Sequence, residues 1–213
     1  TGVWAEENTR ENIYDAFRRK ETFATSGPRI KVRFFSGYNF EDSKINDLEL
    51  IQKAYANNLS MGSTINIEEG RSPKFLVWAI ADSMGAPLQR IQIIKGWLEN
   101  GEHREKVYDV ACSDGLVVNS STFRCPDNGA KVDIENCSIS ESLGASELKT
   151  FWVDPDFLKD QRAFYYARVL ENPVCRWSTW DSIREGVKPR SDIPTTIQER
   201  AWTSPIWFEP TNS

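Results

Sequence analysis

The chain has one histidine, two methionines and four cysteines among 213 residues, and each scarcity removes a class of chemistry. A Ser-His-Asp or Cys-His arrangement needs a histidine beside its nucleophile. The single His103 follows an Asn100-Gly101 turn amid Glu102, Arg104 and Glu105, a setting that reads as exposed surface. No H-E-x-x-H run and no glycine-rich phosphate loop occurs. No C-x-x-C spacing occurs either, so a structural zinc site would require four scattered thiolates. Apolar runs stay short of the roughly 20 residues that span a membrane, and no signal peptide opens the chain. The net charge is −5, with both signs interspersed and no basic stripe. Neither nucleic acid nor a membrane is therefore expected as a partner.

What is present points to a packed fold. Apolar residues make up 39% of the chain, with eight Trp, eleven Phe and six Tyr, enough to fill a core. Residues 1–29 read strand, capped helix, strand: Gly2-Val3-Trp4-Ala5, then residues 8–20, then Thr22-Phe23-Ala24-Thr25. Asn8 is placed to cap the helix, with Glu11 three residues on. Ile13, Ala16 and Phe17 form an apolar stripe beside Tyr14, and Arg18-Arg19-Lys20 meets the negative end of the helix dipole. A lone β-α-β unit cannot bury both sides of its strands, so these two strands are expected in a parallel sheet completed by others. The chain also opens without an initiator Met. It is therefore expected to be the carboxy-terminal part of a longer protein, without a complete active site.

From residue 29 the period changes. Ile30, Val32 and Phe34 alternate with Arg29, Lys31 and Arg33, the pattern of a half-buried strand. A short helix follows, with Asn46 or Asp47 as cap and Leu48, Ile51 and Tyr55 on one face. Strands are expected at residues 74–81, 90–98, 104–112, 148–153, 162–170 and 200–208, with Asn100-Gly101 as a tight turn in a linker slightly longer than two residues. The fold class is mainly β: residues 29–213 as an antiparallel β-sandwich with two long loops, preceded by residues 1–28 as a remnant of another domain.

The loops span residues 113–146, rich in Ser, Asn, Asp and Gly, and residues 171–199, with Pro173, Pro189 and Pro194. Cys112, Cys125 and Cys137 lie in or beside the first, and Cys175 opens the second. The simplest closure is Cys125–Cys137, worth roughly 3 kcal/mol by chain entropy, which would imply a periplasmic or secreted protein. Free thiols are the alternative, and would suit the cytoplasm. Asp154 and Asp156 carry oxygen ligands suited to calcium, but a Pro-Asp turn accounts for them more simply. Trp78, Trp97, Trp152, Trp202 and Trp207 fall in or beside expected strands, which favours core packing over a sugar-stacking platform.

The segments Trp4-Ala5-Glu6-Glu7-Asn8-Thr9-Arg10-Glu11, Asp15-Ala16-Phe17-Arg18-Arg19-Lys20 and Glu21-Thr22-Phe23-Ala24-Thr25-Ser26-Gly27-Pro28-Arg29 together resemble the close of a PHP (polymerase and histidinol phosphatase) domain. More narrowly, the chain resembles a bacterial family catalogued as domain of unknown function 3604. Residues 90–97, 107–110, 163–169 and 201–207 agree with it. The resemblance implies a distorted (β/α)7 barrel upstream, whose His and Asp/Glu side chains hold divalent metal ions that activate water for phosphoester hydrolysis. The H-x-H and D-x-H ligand motifs of such barrels have no match here, so no metal ligand or catalytic residue is assigned to this chain.

Two functions follow as expectations. One is a non-catalytic sandwich appended to a metal-dependent hydrolase, with the upstream barrel of the same protein as its partner. The other is an independent module binding carbohydrate or protein through exposed aromatics. The amino-terminal strand-helix-strand favours the first. Parallel α/β barrels gather their sites at the carboxyl ends of the strands. Glu6, Glu7 and Asn8 after the first strand, with Thr25 and Ser26 ending the next, are therefore expected side by side at the parent's active-site rim.

Overall fold

The computed structural model describes residues 1–41 and 45–211, so residues 42–44 and 212–213 of the expected 29–213 unit lie outside the described residues. In chain order the elements are β1 (Gly2–Val3), α1 (Arg10–Arg18), β2 (Thr22–Thr25), β3 (Lys31–Gly37), α2 (Leu50–Asn57), β4 (Leu59–Ser60), β5 (Thr64–Asn66) and β6 (Lys74–Ile80). There follow β7 (Leu88–Glu99), β8 (Glu102–Cys112), β9 (Glu147–Val153), β10 (Ala163–Glu171), β11 (Val174–Cys175), α3 (Trp177–Glu185), β12 (Thr196–Ile197), β13 (Arg200–Thr203) and β14 (Ile206–Glu209).

Period-two patterning decides the layers. Along β10, Ala163, Tyr165, Ala167 and Val169 are buried while Phe164, Tyr166, Arg168 and Leu170 between them are half-buried. Side chains of a strand alternate faces, so one face of β10 is core and the other looks outward. Among the described residues the strands form an eight-stranded sheet, a four-stranded sheet (β4-β3-β6-β9) and a β11-β12 ladder. In the larger sheet β10 pairs β7 along one side and both β13 and β14 along the other; β8 extends it beyond β7, and β2 and β1 beyond β13. Pairings are antiparallel except β14 with β5. The chain is thus mainly β, in antiparallel sheets with no closed barrel.

The two large sheets share one core. Val32, Phe34, Phe75 and Val77 of the smaller sheet are buried with Ile91, Ile93, Tyr165 and Phe208 of the larger. The Phe75 ring sits 4.7 Å from that of Tyr165 and 5.6 Å from that of Phe208. The far side of the smaller sheet is covered by α2, whose Leu50 and Ala54 pack on Phe35 and Leu76.

Several sequence expectations are corrected. The first two strands run antiparallel, with Gly2 opposite Phe23 and Val3 opposite Thr22. Lys20 takes a left-handed conformation (φ 58°) after α1, and Glu21 N–H bonds back to the Ala16 carbonyl, so the chain doubles back at once. A strand-helix-strand pattern does not encode that direction. The α1 cap is Thr9, whose hydroxyl accepts from Asn12 N–H, rather than Asn8. The second helix starts later than expected. The Asp47 carboxylate accepts from Glu49 N–H, leaving Leu48 fully exposed and Leu50 and Ala54 as the buried pair. The run at 200–208 is two strands, because Ser204-Pro205 interrupts it and proline has no N–H for a ladder. Between β7 and β8 the linker is only Asn100-Gly101, both with positive φ, so the hairpin turn is tighter than expected. The second long loop is structured, holding β11, α3 and β12.

The cysteine pairing is also corrected. Cys112 bonds Cys125 and Cys137 bonds Cys175, in place of Cys125–Cys137. The cause is local. Cys125 N–H donates to the Asp109 carboxylate and Asp109 N–H to the Phe123 carbonyl, which lays residues 123–125 along β8 within reach of Cys112. With all four cysteines oxidised, no thiolate is left for zinc.

Candidate functional site

The expected rim residues separate. Because β1 and β2 are antiparallel, the end of β1 lies beside the start of β2, with Trp4 N–H bonded to the Glu21 carbonyl. Glu6 therefore emerges at one end of the pair, while Thr25 and Ser26 emerge at the other. There Ser26 N–H bonds the Arg200 carbonyl and the Ser26 hydroxyl bonds the Glu199 carboxylate. Glu7 and Asn8 are exposed in the bend before α1. Glu6 lines a cavity of about 510 Å³, which it shares with Trp4, Arg19, Glu21, Arg33 and Tyr55.

That cavity is built where the amino-terminal segment meets the smaller sheet. Arg33 belongs to the polar set of β3, and its guanidinium carbon lies 3.5 Å from the Trp4 ring centroid, a cation–π contact. Trp4 is itself oriented by its indole N–H on the Val32 carbonyl, at 2.8 Å. Arg33 Nη1 donates to the Tyr55 hydroxyl at 2.7 Å, and Tyr55 in turn donates to Glu21 Oε1. Ser60 Oγ donates to the same oxygen at 2.9 Å, and Arg19 lies 3.5 Å from the other. Glu21 is only 4% exposed, so these donors replace the water its charge has lost. Burial first, and the Glu21 hydrogen bond second, push the Tyr55 phenol up to about 12. The Arg33–Tyr55–Glu21 relay is thus a fixed latch across three chain segments, and it presents no free nucleophile. Asn58 Oδ1 at its edge is buried without a partner.

A second polar cluster lies inside the sandwiching faces. Lys95, on the inward side of β7, is 2% exposed and places Nζ 2.8 Å from Asp154 Oδ2 and 2.7 Å from the Asp156 carbonyl. Tyr165 donates to Asp154 and Tyr108 to Asp156, at 2.7 and 2.6 Å. Lys106 pairs with Asp156 and holds its carboxyl below the usual range, while burial raises both phenols. The donors on Asp154 and Asp156 are therefore ammonium, hydroxyl and backbone N–H groups, the last from Asp156 to Asp154 at 2.8 Å, and the turn reading holds. Sequence reasoning missed this cluster, although Lys95 shares the parity of Ile91 and Ile93 and so belongs to the core face.

A third group is Glu171, 1% exposed, which accepts from Ala86 N–H at 3.3 Å and leaves Oε1 without a partner. Burial, reinforced by Asp82 and Glu199, pushes its carboxyl up to about 7. His103 is exposed on β8, as expected. The tryptophans divide: Trp97 and Trp152 pack on the main core and Trp78 on the smaller one, whereas Trp202 and Trp207 lie on the outward face of the larger sheet.

With this geometry in place, comparison with known proteins gives one match. Residues 1–210 match the model of a family described as "Protein of unknown function (DUF3604)", and the chain belongs to that family. No curated protein and no solved structure matches.

Proposed function

We propose that this DUF3604 member is the non-catalytic, carboxy-terminal β-sandwich region of a PHP-like, metal-dependent phosphoesterase, seated against the upstream barrel of the same protein. Residues 1–28, whose β1 and β2 are strands of the larger sheet, would carry the contact. The observation that carries this reading is the two-sidedness of α1. One side is anchored: Ala16 is fully buried, and β2 is hydrogen-bonded into the larger sheet through β13. The other side turns Tyr14 and Phe17 outward, 60% and 51% exposed. Three residues apart on a helix, they are neighbours on one face. An anchored helix presenting two aromatic rings supports a partner surface there. Glu6 and Glu7 lead into α1 and would border that contact. The implied divalent metals belong to the barrel in this reading. Among the described residues no three His, Cys, Asp or Glu side chains are grouped to hold a metal ion, and no reaction step is routed through this chain.

The test is Tyr14→Ser with Phe17→Ser in the full-length protein. Each ring buried on the barrel stabilises by about 1.5–3 kcal/mol, so the wild type should melt in one transition and the variant in two, with faster proteolysis between the parts. The same substitutions should leave the melting of the isolated chain unchanged, because both rings are exposed in it. An identical melting profile for variant and wild-type full-length protein would overturn the contact.

A further inference from the structure

The outward face of the larger sheet has no part in the proposed contact, and its residues converge on one kind of ligand. Trp207 and Phe164 are cross-strand neighbours with ring centroids 4.9 Å apart. Phe164 and Tyr166 follow on the same strand, at 6.5 Å and within 14° of parallel. Gly96 stands opposite Phe164, and a Cβ there would collide with its ring, so the missing side chain lets the ring lean across the sheet. The result is an aromatic strip leading out of a cavity of about 650 Å³ that Gly96, His103, Arg162, Phe164 and Trp207 line.

Beyond the strip the face turns cationic. Arg168 is paired in register with Gln92 and Trp202, and Arg200 stands opposite Leu170. This sets the two arginines on a diagonal of about 7–8 Å. Arg90 and Arg124 share the buried Asp109 carboxylate. The Arg168 guanidinium bonds the Gln92 amide, and that of Arg200 bonds the Gln198 carbonyl and lies 5.9 Å from the Trp202 ring, so neither guanidinium has a carboxylate partner among the described residues. The same face also carries Glu105, opposite Gly96 and close enough to add to burial in raising the Tyr166 phenol, and the buried Asp109 opposite Gln92, so the uncompensated positive charge is confined to the Arg168 and Arg200 end of the face.

We infer that this face binds an extended, uronate-bearing oligosaccharide, whose ring faces pack on Trp207, Phe164 and Tyr166 and whose carboxylates meet Arg168 and Arg200. Aromatic rings supply flat apolar area to a sugar ring, and the planar guanidinium fork matches a carboxylate. Single-stranded nucleic acid also pairs stacking with cations. The two disulfides favour the glycan, because such bonds persist in oxidising compartments, at cell surfaces and outside cells.

The experiment is calorimetric titration of the chain with a hexamannuronate, with neutral mannohexaose, with a sulfated hexasaccharide and with a dT oligonucleotide. The hexamannuronate should bind more tightly than the other three, and its affinity should fall with added salt. Arg168→Gln with Arg200→Gln should weaken it about tenfold or more, as loss of charge-assisted hydrogen bonds requires, and Trp207→Ala should do the same. Lys31→Gln, on the smaller sheet, should leave it unchanged. Each variant's melting temperature is read alongside, and the salt dependence and neutral-sugar comparison stand on wild-type protein alone. Equal binding of the neutral sugar, tighter binding of the sulfated sugar or oligonucleotide, or no hexamannuronate binding at millimolar concentration would overturn the assignment.

Discussion

Lys95→Met is the substitution that most sharply probes how this core is held together. The pair it breaks is dry: the side chains of Lys95 and Asp154 are 3% and 0% exposed, and Nζ lies 2.8 Å from Oδ2. Methionine keeps the length and apolar stem of lysine, so little packing is lost. What remains is an Asp154 carboxylate in the interior, with the Tyr165 hydroxyl and Asp156 N–H as its donors and no positive charge against it. Removing one partner of a buried pair costs about 3–5 kcal/mol, because the other charge stays desolvated. For a chain of this size that lowers Tm by roughly 6–20 °C. Asp154→Asn should be nearly as costly, since Lys95 would keep only the Asp156 carbonyl as a strong acceptor. The double variant should lose clearly less than the sum, as residues in one network are coupled. Urea unfolding of the four proteins measures this cycle. A loss below about 1 kcal/mol for Lys95→Met, or strict additivity in the double variant, would refute the claim that the pair is a buried, interdependent unit.

Two further outcomes follow from buried groups and crosslinks. Glu171 carries a folded-state pKa raised to about 7 from 4.5, so the native state binds a proton that the unfolded chain has released. That stabilisation is fully present below pH 4.5 and disappears as pH rises through 7, a loss of about 3 kcal/mol at most. Melting temperatures between pH 5 and 8 should fall for wild type and stay flatter for Glu171→Gln; equal slopes would contradict it. Closing 13 and 38 residues, the two disulfides contribute about 3 and 4 kcal/mol in the chain-entropy model. Cys125→Ser with Cys137→Ser should therefore cost more than removing either native pair, because it opens both bridges, whereas a Cys125–Cys137 peptide in a digest would overturn the pairing.

The strands were legible where one face is core and the other is not: Ile30, Val32 and Phe34 alternate cleanly, and Asn100-Gly101 marks its hairpin. Direction was not legible. Residues 1–29 read the same for a parallel or an antiparallel return, and only the left-handed Lys20 and the pairing of β2 with β13 decide it. That one choice moved Thr25 and Ser26 to the opposite end from Glu6 and dissolved the expected rim. Disulfide pairing was hidden for a related reason. Spacing suggested Cys125–Cys137, but the Asp109 carboxylate draws Cys125 N–H to β8, a contact between residues 16 apart that no periodicity announces. The tryptophans show the limit of strand membership as a guide. Parity within β13 and β14, set by Ala201, Ile206 and Phe208 inside, puts Trp202 and Trp207 outside. Glu21 and Tyr55 were invisible as a pair, since each looks unremarkable until the fold brings the Tyr55 hydroxyl onto the Glu21 carboxylate.

The most direct measurement compares this 213-residue chain with the longer, barrel-bearing protein proposed above in a phosphoesterase assay, using p-nitrophenyl phosphate with and without added manganese. The account requires metal-dependent turnover by the full-length protein, abolished by chelator, and none by the chain alone at any metal concentration. Turnover by the isolated chain, or a full-length protein inert with every divalent metal and phosphoester offered, would contradict it.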